Sequence, residues 1–248
     1  MQPSPYPRPV VSSHQPSLWP WVGYWAKVAA SDVHIMTCGV QFDYGGYQNR
    51  VQLGAAWLTL PVERSAKAGM VQDARYHPEA IPRLRQTVLE ALAGKRWPGA
   101  EQIRFIVART FDDPPIGNFL LDLNIQGFKA VSQVLGLTHV KTFLDTQVPD
   151  GSFSKTERLV ARIQRHVPEE RISYLAGSGA RGYLDRATWP SGWSLRFQNA
   201  KEGVAPDTVL SVIARRPDDA LSVVLGAFGY QPWSARDEAH SGDLAALG

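Results

Sequence analysis

The sequence predicts an α/β protein: a single compact domain in which helices flank a mixed, partly parallel sheet. From residue 118 onward, apolar runs of strand length alternate with stretches of helical periodicity, the pattern of parallel strands joined by crossing helices. Hydrophobic residues make up 44% and charged residues 20% of the 248 positions, enough apolar side chain to bury a core and too much for a disordered chain. No linker is long enough to impose a domain break, so residues 10–230 are read as one unit.

The elements follow in order. Met1 to Pro9 contain four prolines and are read as a disordered leader. They lack the apolar stretch of a signal peptide. Val10 to Ser13 form a short strand that ends at His14-Gln15-Pro16. Pro20 to Ala30 form a helix with Trp21, Tyr24, Trp25 and Val28 on one face. Strand-like runs come next at Val33–Met36, Val40–Phe42, Tyr47–Leu53 and Trp57–Val62, with Gly45-Gly46 as a hairpin turn. Residues 79–93 are helical through the stripe Leu84, Val88, Leu89 and Leu92. Ile103–Val107 fits a strand or a helix, and Asp112 to Pro115 is a loop. The second half reads as helix 118–135, strand 138–144, helix 154–166, strand 172–176, a short helix 180–186, strand 193–198 and helices within 207–226. Residues 231–248 form a polar tail.

Composition narrows the function. No apolar run approaches the ~18 residues of a membrane span. The single cysteine, Cys38, makes no internal disulfide and fits a reducing, cytoplasmic location. Residues 1–111 carry twelve Lys/Arg against seven Asp/Glu (+5), and residues 112–248 carry fourteen against sixteen (−2), so the first half favours an anionic ligand. There is no phosphate-loop lysine, H-E-x-x-H or G-x-S-x-G, and the six histidines show no metal spacing. Cys38 and His34, four apart in a strand, stand about 13 Å apart along its axis and do not form a thiolate pair.

Four stretches carry the residue types chemistry needs. In His14-Gln15 and the aromatic run after it, Pro16 and Pro20 bias Gln15 and Trp19 to extended backbone. That stiffens a strand-to-helix junction where helix-terminal N–H groups favour an anion. Around the glycine turn, Gln41, Asp43, Tyr47, Asn49 and Arg50 make either a polar binding surface or an ordinary exposed hairpin tip. Ser154 and Glu157 have capping-box spacing at the start of a helix, and Arg158, Arg162 and Arg165 then form a cationic face. Gly177 to Gly182 matches G-x-G-x-x-G after a strand. The helix behind it is too short for a dinucleotide fold, which leaves a phosphate-cradling nest with Arg181 as its charge.

Several of these motifs, in the same order, resemble the WbqC-like family. They are Gln15-Pro16, Pro20-Trp21, Gly23-Tyr24-Trp25, Ser31-Asp32, Val40-Gln41-Phe42, Asn49-Arg50, Trp57 to Val62, Lys155 to Leu159, Tyr174 to Gly177 and Tyr183-Leu184. The likeness spans about residues 11–226 and is poor over 63–117. Where the family has an Asp-Asp pair before its Val-Gln, this chain has Cys38-Gly39, so that role is lost or moves to Asp43.

The resemblance implies transfer of a free amino acid, glycine or a similarly small one, to a phosphate-bearing or nucleotide-containing acceptor. The favoured acceptor is phosphorylated 5-hydroxymethyluracil in DNA, with a nucleotide-linked amino sugar of polysaccharide assembly as the alternative. On that expectation Arg50 forks the amino-acid carboxylate and Asp32 or Asp43 orients its amine. Trp21, Tyr24, Gln41 and Asn49 line the substrate, while Lys155, Arg158, Gly177, Ser178 and Arg181 hold phosphate. His14, beside Gln15, serves as the base. No cofactor is required beyond magnesium carried by substrate phosphate, and no membrane partner is expected. A non-catalytic nucleic-acid binding module and a structural interaction protein are the other classes considered. Neither accounts for the polar clusters as well.

Overall fold

The computed structural model describes residues 6–64, 69–94, 96–148, 151–204 and 207–233. Met1 to Pro5 of the leader and the tail from residue 234 lie outside them. Tyr6 meets Tyr230 edge to face with ring centroids 6.3 Å apart, and Arg8 pairs with Asp32.

The described residues form a six-stranded sheet flanked by helices and a separate two-stranded hairpin, the α/β class the alternation predicts. Strand β1 (Val10–His14) is followed by helix α1 (Val22–Ala29) and β2 (Val33–Thr37). The hairpin β3 (Arg50–Leu53) and β4 (Ala56–Thr59) comes next, then α2 (Ile81–Leu92), α3 (Ala100–Phe111) and α4 (Leu120–Val134). The chain continues through β5 (Lys141–Asp145), α5 (Lys155–His166), β6 (Ser173–Ala176), β7 (Ser194–Ala200), α6 (Val209–Arg215), α7 (Ala220–Gly226) and β8 (Phe228–Pro232).

The strand order is β5-β2-β1-β6-β7-β8, parallel throughout except for β8, which runs antiparallel to β7. The chain therefore builds outward from β1 through β2 to β5, then returns to the other side of β1 for β6. Beyond the carboxyl ends of β1 and β6 the two halves of the sheet turn away from each other. A doubly wound sheet opens a ligand crevice at such a reversal.

Buried on both faces, the parallel strands read as apolar runs. One face packs on α1, α3, α4, α6 and α7 around Trp19, Trp25, Ile106, Leu123 and Ile213. The other packs on α5 and the loop before β7 through Val11, Ile35, Ile163, Trp189 and Phe197. Helix α5 starts as its sequence predicts: the Ser154 hydroxyl accepts from the Glu157 amide while Glu157 accepts from the Ser154 amide.

Four local expectations are corrected, and the open alternative at Ile103–Val107 is resolved as helix. Val40–Phe42 is a single bridge, Gln41 to Met70, because no neighbour continues a ladder there. The hairpin turns at Gly54-Ala55, where Gly54 adopts φ +60°, and not at Gly45-Gly46, which closes a separate turn under Asp43. Ile103–Val107 lies inside α3. The short helix at 180–186 is a 3-10 turn over Ser178–Gly182. Trp19, expected to be extended before Pro20, has φ +42°, a strained conformation for a bulky residue. Its surroundings over-determine it: the indole donates to Thr110 Oγ1 at 3.1 Å and meets Phe111 at 5.2 Å, and its carbonyl accepts from Thr208 Oγ1 at 2.8 Å.

Candidate functional site

The crevice at the reversal has a volume of about 490 Å³. Three elements wall it: the end of β1 with Ser13, His14 and Gln15; the end of β6 with Tyr174, Ala176 and Gly177, continuing to Gly179 and Ala180; and the first turns of α5 with Lys155, Leu159 and Arg162. Lys27 of α1 closes the floor, and Thr37, Val40 and Tyr183 complete the lining. Among the described residues this lining contains two lysines and an arginine and no carboxylate. The start of α5 adds the positive end of a helix dipole. Such a lining favours an anion over a cation.

Lys27 is 4% exposed, and its ammonium donates to the Ser13 carbonyl at 3.3 Å. Burial lowers its pKa to about 8. Below it lies a dry polar chain. The Ser12 hydroxyl pairs with His34 Nδ1 at 2.9 Å, and His34 Nε2 pairs with the Tyr24 hydroxyl at 3.0 Å. On the opposite face Ser13 Oγ meets the Tyr174 hydroxyl at 2.6 Å. Burial first, then the Lys27 charge, lowers the pKa of His14 to about 3, so its imidazole is neutral at pH 7. The same two causes lower His34.

Arg162 is held from behind. Asp145, at the end of β5 and 1% exposed, accepts from Arg162 Nε and from Arg165 Nη1 at 2.7 Å. A buried carboxylate outside the lining thus fixes one cation of the wall.

The residues expected from sequence separate into those the crevice gathers and those it does not. His14, Gln15, Lys155 and Gly177 line it, and Tyr24 lies just beneath, with its ring 4.9 Å from that of His14. Asp32 stands at the opposite end of the strands, just before β2, where it pairs with Arg8 and accepts from the Val10 amide at 2.8 Å. Trp21 packs on Phe228 and over Gly23, where an added Cβ would meet the indole at 2.3 Å. The first amide of α1, Val22 N, donates to the Asp207 carbonyl and Tyr24 N to the Trp21 carbonyl, so these two N–H groups are engaged within the protein.

Four further residues lie outside the crevice lining. Arg158 donates to the Phe153 carbonyl at 2.8 Å and the Gly151 carbonyl at 3.2 Å. Arg181 reaches Asn199 and lies over Phe197, and Ser178 is exposed outside the lining. Gln41 is exposed on its bridge to Met70.

The glycine-turn cluster is held by its own backbone. Asp43 accepts from the Gly45 amide at 3.0 Å, and the Asn49 amide donates to the Leu60 carbonyl at 2.8 Å. Arg50 donates to the Gly45 and Gly46 carbonyls and lies over Trp57 at 4.2 Å. Gln48 joins this loop to the crevice rim by donating to Gln15 Oε1.

The Asp-Asp position of the family is sterically closed here. A Cβ on Gly39 would stand 2.3 Å from the Gln147 carbonyl oxygen. Cys38 is buried, and burial together with Asp145 pushes its thiol up to about 12, far from a thiolate.

Lys27 was not foreseen as a site residue, although it had a signal: α1 is apolar on every face, and a lysine on such a helix is buried. Tyr174 and Arg162 belonged to motifs, but nothing local put them beside His14. Among the described residues no group of three or more His, Cys, Asp or Glu is placed to hold a metal ion, and no helix is long and apolar enough to cross a membrane.

The model of the WbqC-like protein family matches residues 15–204. No curated protein and no solved structure matches the chain.

Proposed function

The chain belongs to the WbqC-like protein family, and we propose that it joins a free amino acid, glycine or one as small, to a phosphate-activated acceptor bound in the crevice between β1 and β6. Family membership supports a transferase-type function in general. The observation that carries the finer reading is the charge of the crevice: Lys27, Lys155 and Arg162 converge with no acidic side chain among them.

Phosphate takes the mouth of the crevice, beside Lys155, Arg162 and the Gly177–Gly179 backbone, where cations and N–H groups stabilise charge on a departing oxygen. The amino acid enters beside His14 and Gln15, whose neutral side chains accept or donate hydrogen bonds without opposing the phosphate. Any magnesium arrives on the substrate phosphates, because the lining offers it no carboxylate.

The acceptor we favour is a modified base in DNA, turned out of its stack into the crevice. The support is the exposed pair Tyr47 and Trp57, with ring centroids 5.4 Å apart and Arg50 over the indole, one residue from the Gln48–Gln15 contact at the rim. Neighbouring bases would stack there. A nucleotide-linked amino sugar is the second reading. It is favoured because Arg8, Arg85 and Arg104 pair with Asp32, Asp112 and Glu101, which reduces the basic surface a duplex needs.

The test is transfer of radiolabelled glycine to the two acceptors side by side, DNA bearing phosphorylated 5-hydroxymethyluracil and a nucleotide-linked amino sugar. Label in DNA supports the first reading, and label in the sugar nucleotide supports the second. No label in either, with all twenty amino acids tried, overturns amino-acid transfer.

A further inference from the structure

We infer that Lys27 is a catalytic residue of this crevice, the base that takes the proton released when the amino-acid nitrogen bonds to the acceptor. The inference rests on the transfer reading and adds to it the identity of the proton acceptor. His14 was the expected base, but a ring buried beside a lysine is neutral and weakly basic.

Lys27 has the required placement. Its side chain is 4% exposed, yet its ammonium reaches the floor of the crevice, 3.9 Å from where a Cβ on Gly177 would stand, between the ends of β1 and β6. Its hydrogen bond is to the Ser13 carbonyl, which accepts whether the amine carries two protons or three. Among the described residues no carboxylate lines the crevice to keep it charged.

The charged and titratable groups around it are His14 on β1, His34 on β2, Tyr24 on its own helix, Tyr174 on β6, Tyr183, and Lys155 and Arg162 on α5. The histidines and tyrosines are uncharged at neutral pH. Arg162 is paired with Asp145 of β5 behind it, and burial is what disfavours the charged form of Lys27. Burial places its pKa at about 8, close to working pH, where a general base is most effective.

The step balances. The amino acid, its amine already neutral, attacks the acceptor carbon that carries the phosphate. The N–C bond forms, the C–O bond breaks, and its electron pair leaves on the phosphate oxygen. The surplus proton on nitrogen passes to Lys27 Nζ. The ammonium so formed then faces the departing phosphate, whose charge is growing at that moment.

The experiment compares the wild-type chain with K27R and K27M in glycine transfer to the acceptor the wild type uses, alongside pyrophosphate binding by calorimetry. Arginine keeps a positive charge but does not release a proton. The expected result for K27R is a kcat reduced by about 100-fold or more, a glycine KM within about threefold, and pyrophosphate still bound. The wild-type kcat/KM should rise with pH through a step near 8 that K27R lacks. K27M, which removes a buried charge and so has no reason to unfold, should lose the same step.

Acetylation of the wild-type chain by acetic anhydride across pH, read by mass spectrometry, gives a readout independent of transfer. Lys27 should be modified with a midpoint near 8. Transfer by K27R within about fivefold of wild type, or a Lys27 midpoint at the ~10.4 of an unperturbed lysine, overturns the inference and leaves the transfer reading intact. A wild type silent on both acceptors overturns both.

Discussion

The crevice between β1 and β6 and the glycine-turn loop at 41–50 are equally rich in the side chains that catalysis and binding use, and they use them in opposite ways. In the loop, Asp43 and Arg50 bond to backbone of the same turn, and Asn49 to the Leu60 carbonyl just past β4. In the crevice, Lys27 meets a single carbonyl and Lys155 stands 5.6 Å from the Tyr183 ring. Polar residues that close their own loop stabilise it, whereas polar residues held in place by other elements are left to act on a ligand. The residue types alone made the two regions look alike, and only the hydrogen-bond partners separate them.

The largest effect should come from the carboxylate that anchors the crevice wall. Asp145→Ala leaves Arg162 buried without its partner and should lower unfolding free energy by about 3–5 kcal/mol in urea titrations. A loss below 1 kcal/mol would make the wall no better anchored than the loop.

Acid should come next. His14 has a folded pKa of about 3, below its value in the unfolded chain, so the unfolded state binds the proton first as pH falls. The resulting loss of stability is absent above about pH 6.5, grows as pH falls toward 3, and is complete below that. His14→Gln should flatten the dependence of unfolding free energy on pH in this window by about 1.4 kcal/mol per unit, the share of one proton. An unchanged slope would mean the ring is solvated.

Lys155→Ala should weaken pyrophosphate about tenfold, the loss of one charge-assisted contact. Arg50→Ala should leave that affinity within twofold and cost about 1 kcal/mol of stability through the lost turn bonds. If the two variants exchange effects, the ligand sits on the loop and the comparison is reversed.

What the sequence made legible follows the same division. Local chemistry was readable: the capping box at Ser154, the helix α5 behind it, and β1 and β2 as apolar runs. The crevice was only partly readable, because it depends on which strands become neighbours. Val11 and Tyr174 pair across the sheet although 163 positions separate them, and no periodicity encodes that pairing. Gln15 and Gly177 were found because each belongs to a motif of its own. Lys27 was passed over as one basic residue among many, although its helix buries every face around it. Asp32 and Trp21 misled in the opposite direction. Both belong to family motifs, yet one ties the leader to the sheet and the other packs on Gly23. A recurring residue is as useful to the fold as to the chemistry.

The position of β1 also bears on how the chain is made. Among the described strands it is made first and it ends in the crevice, yet its second neighbour begins at Ser173. Until β6 is made, one edge of β1 has no partner and the crevice has only one of its two strand walls. A fragment stopping short of β6 would present that open edge to other chains. The crevice is thus completed late in synthesis, when β6 docks.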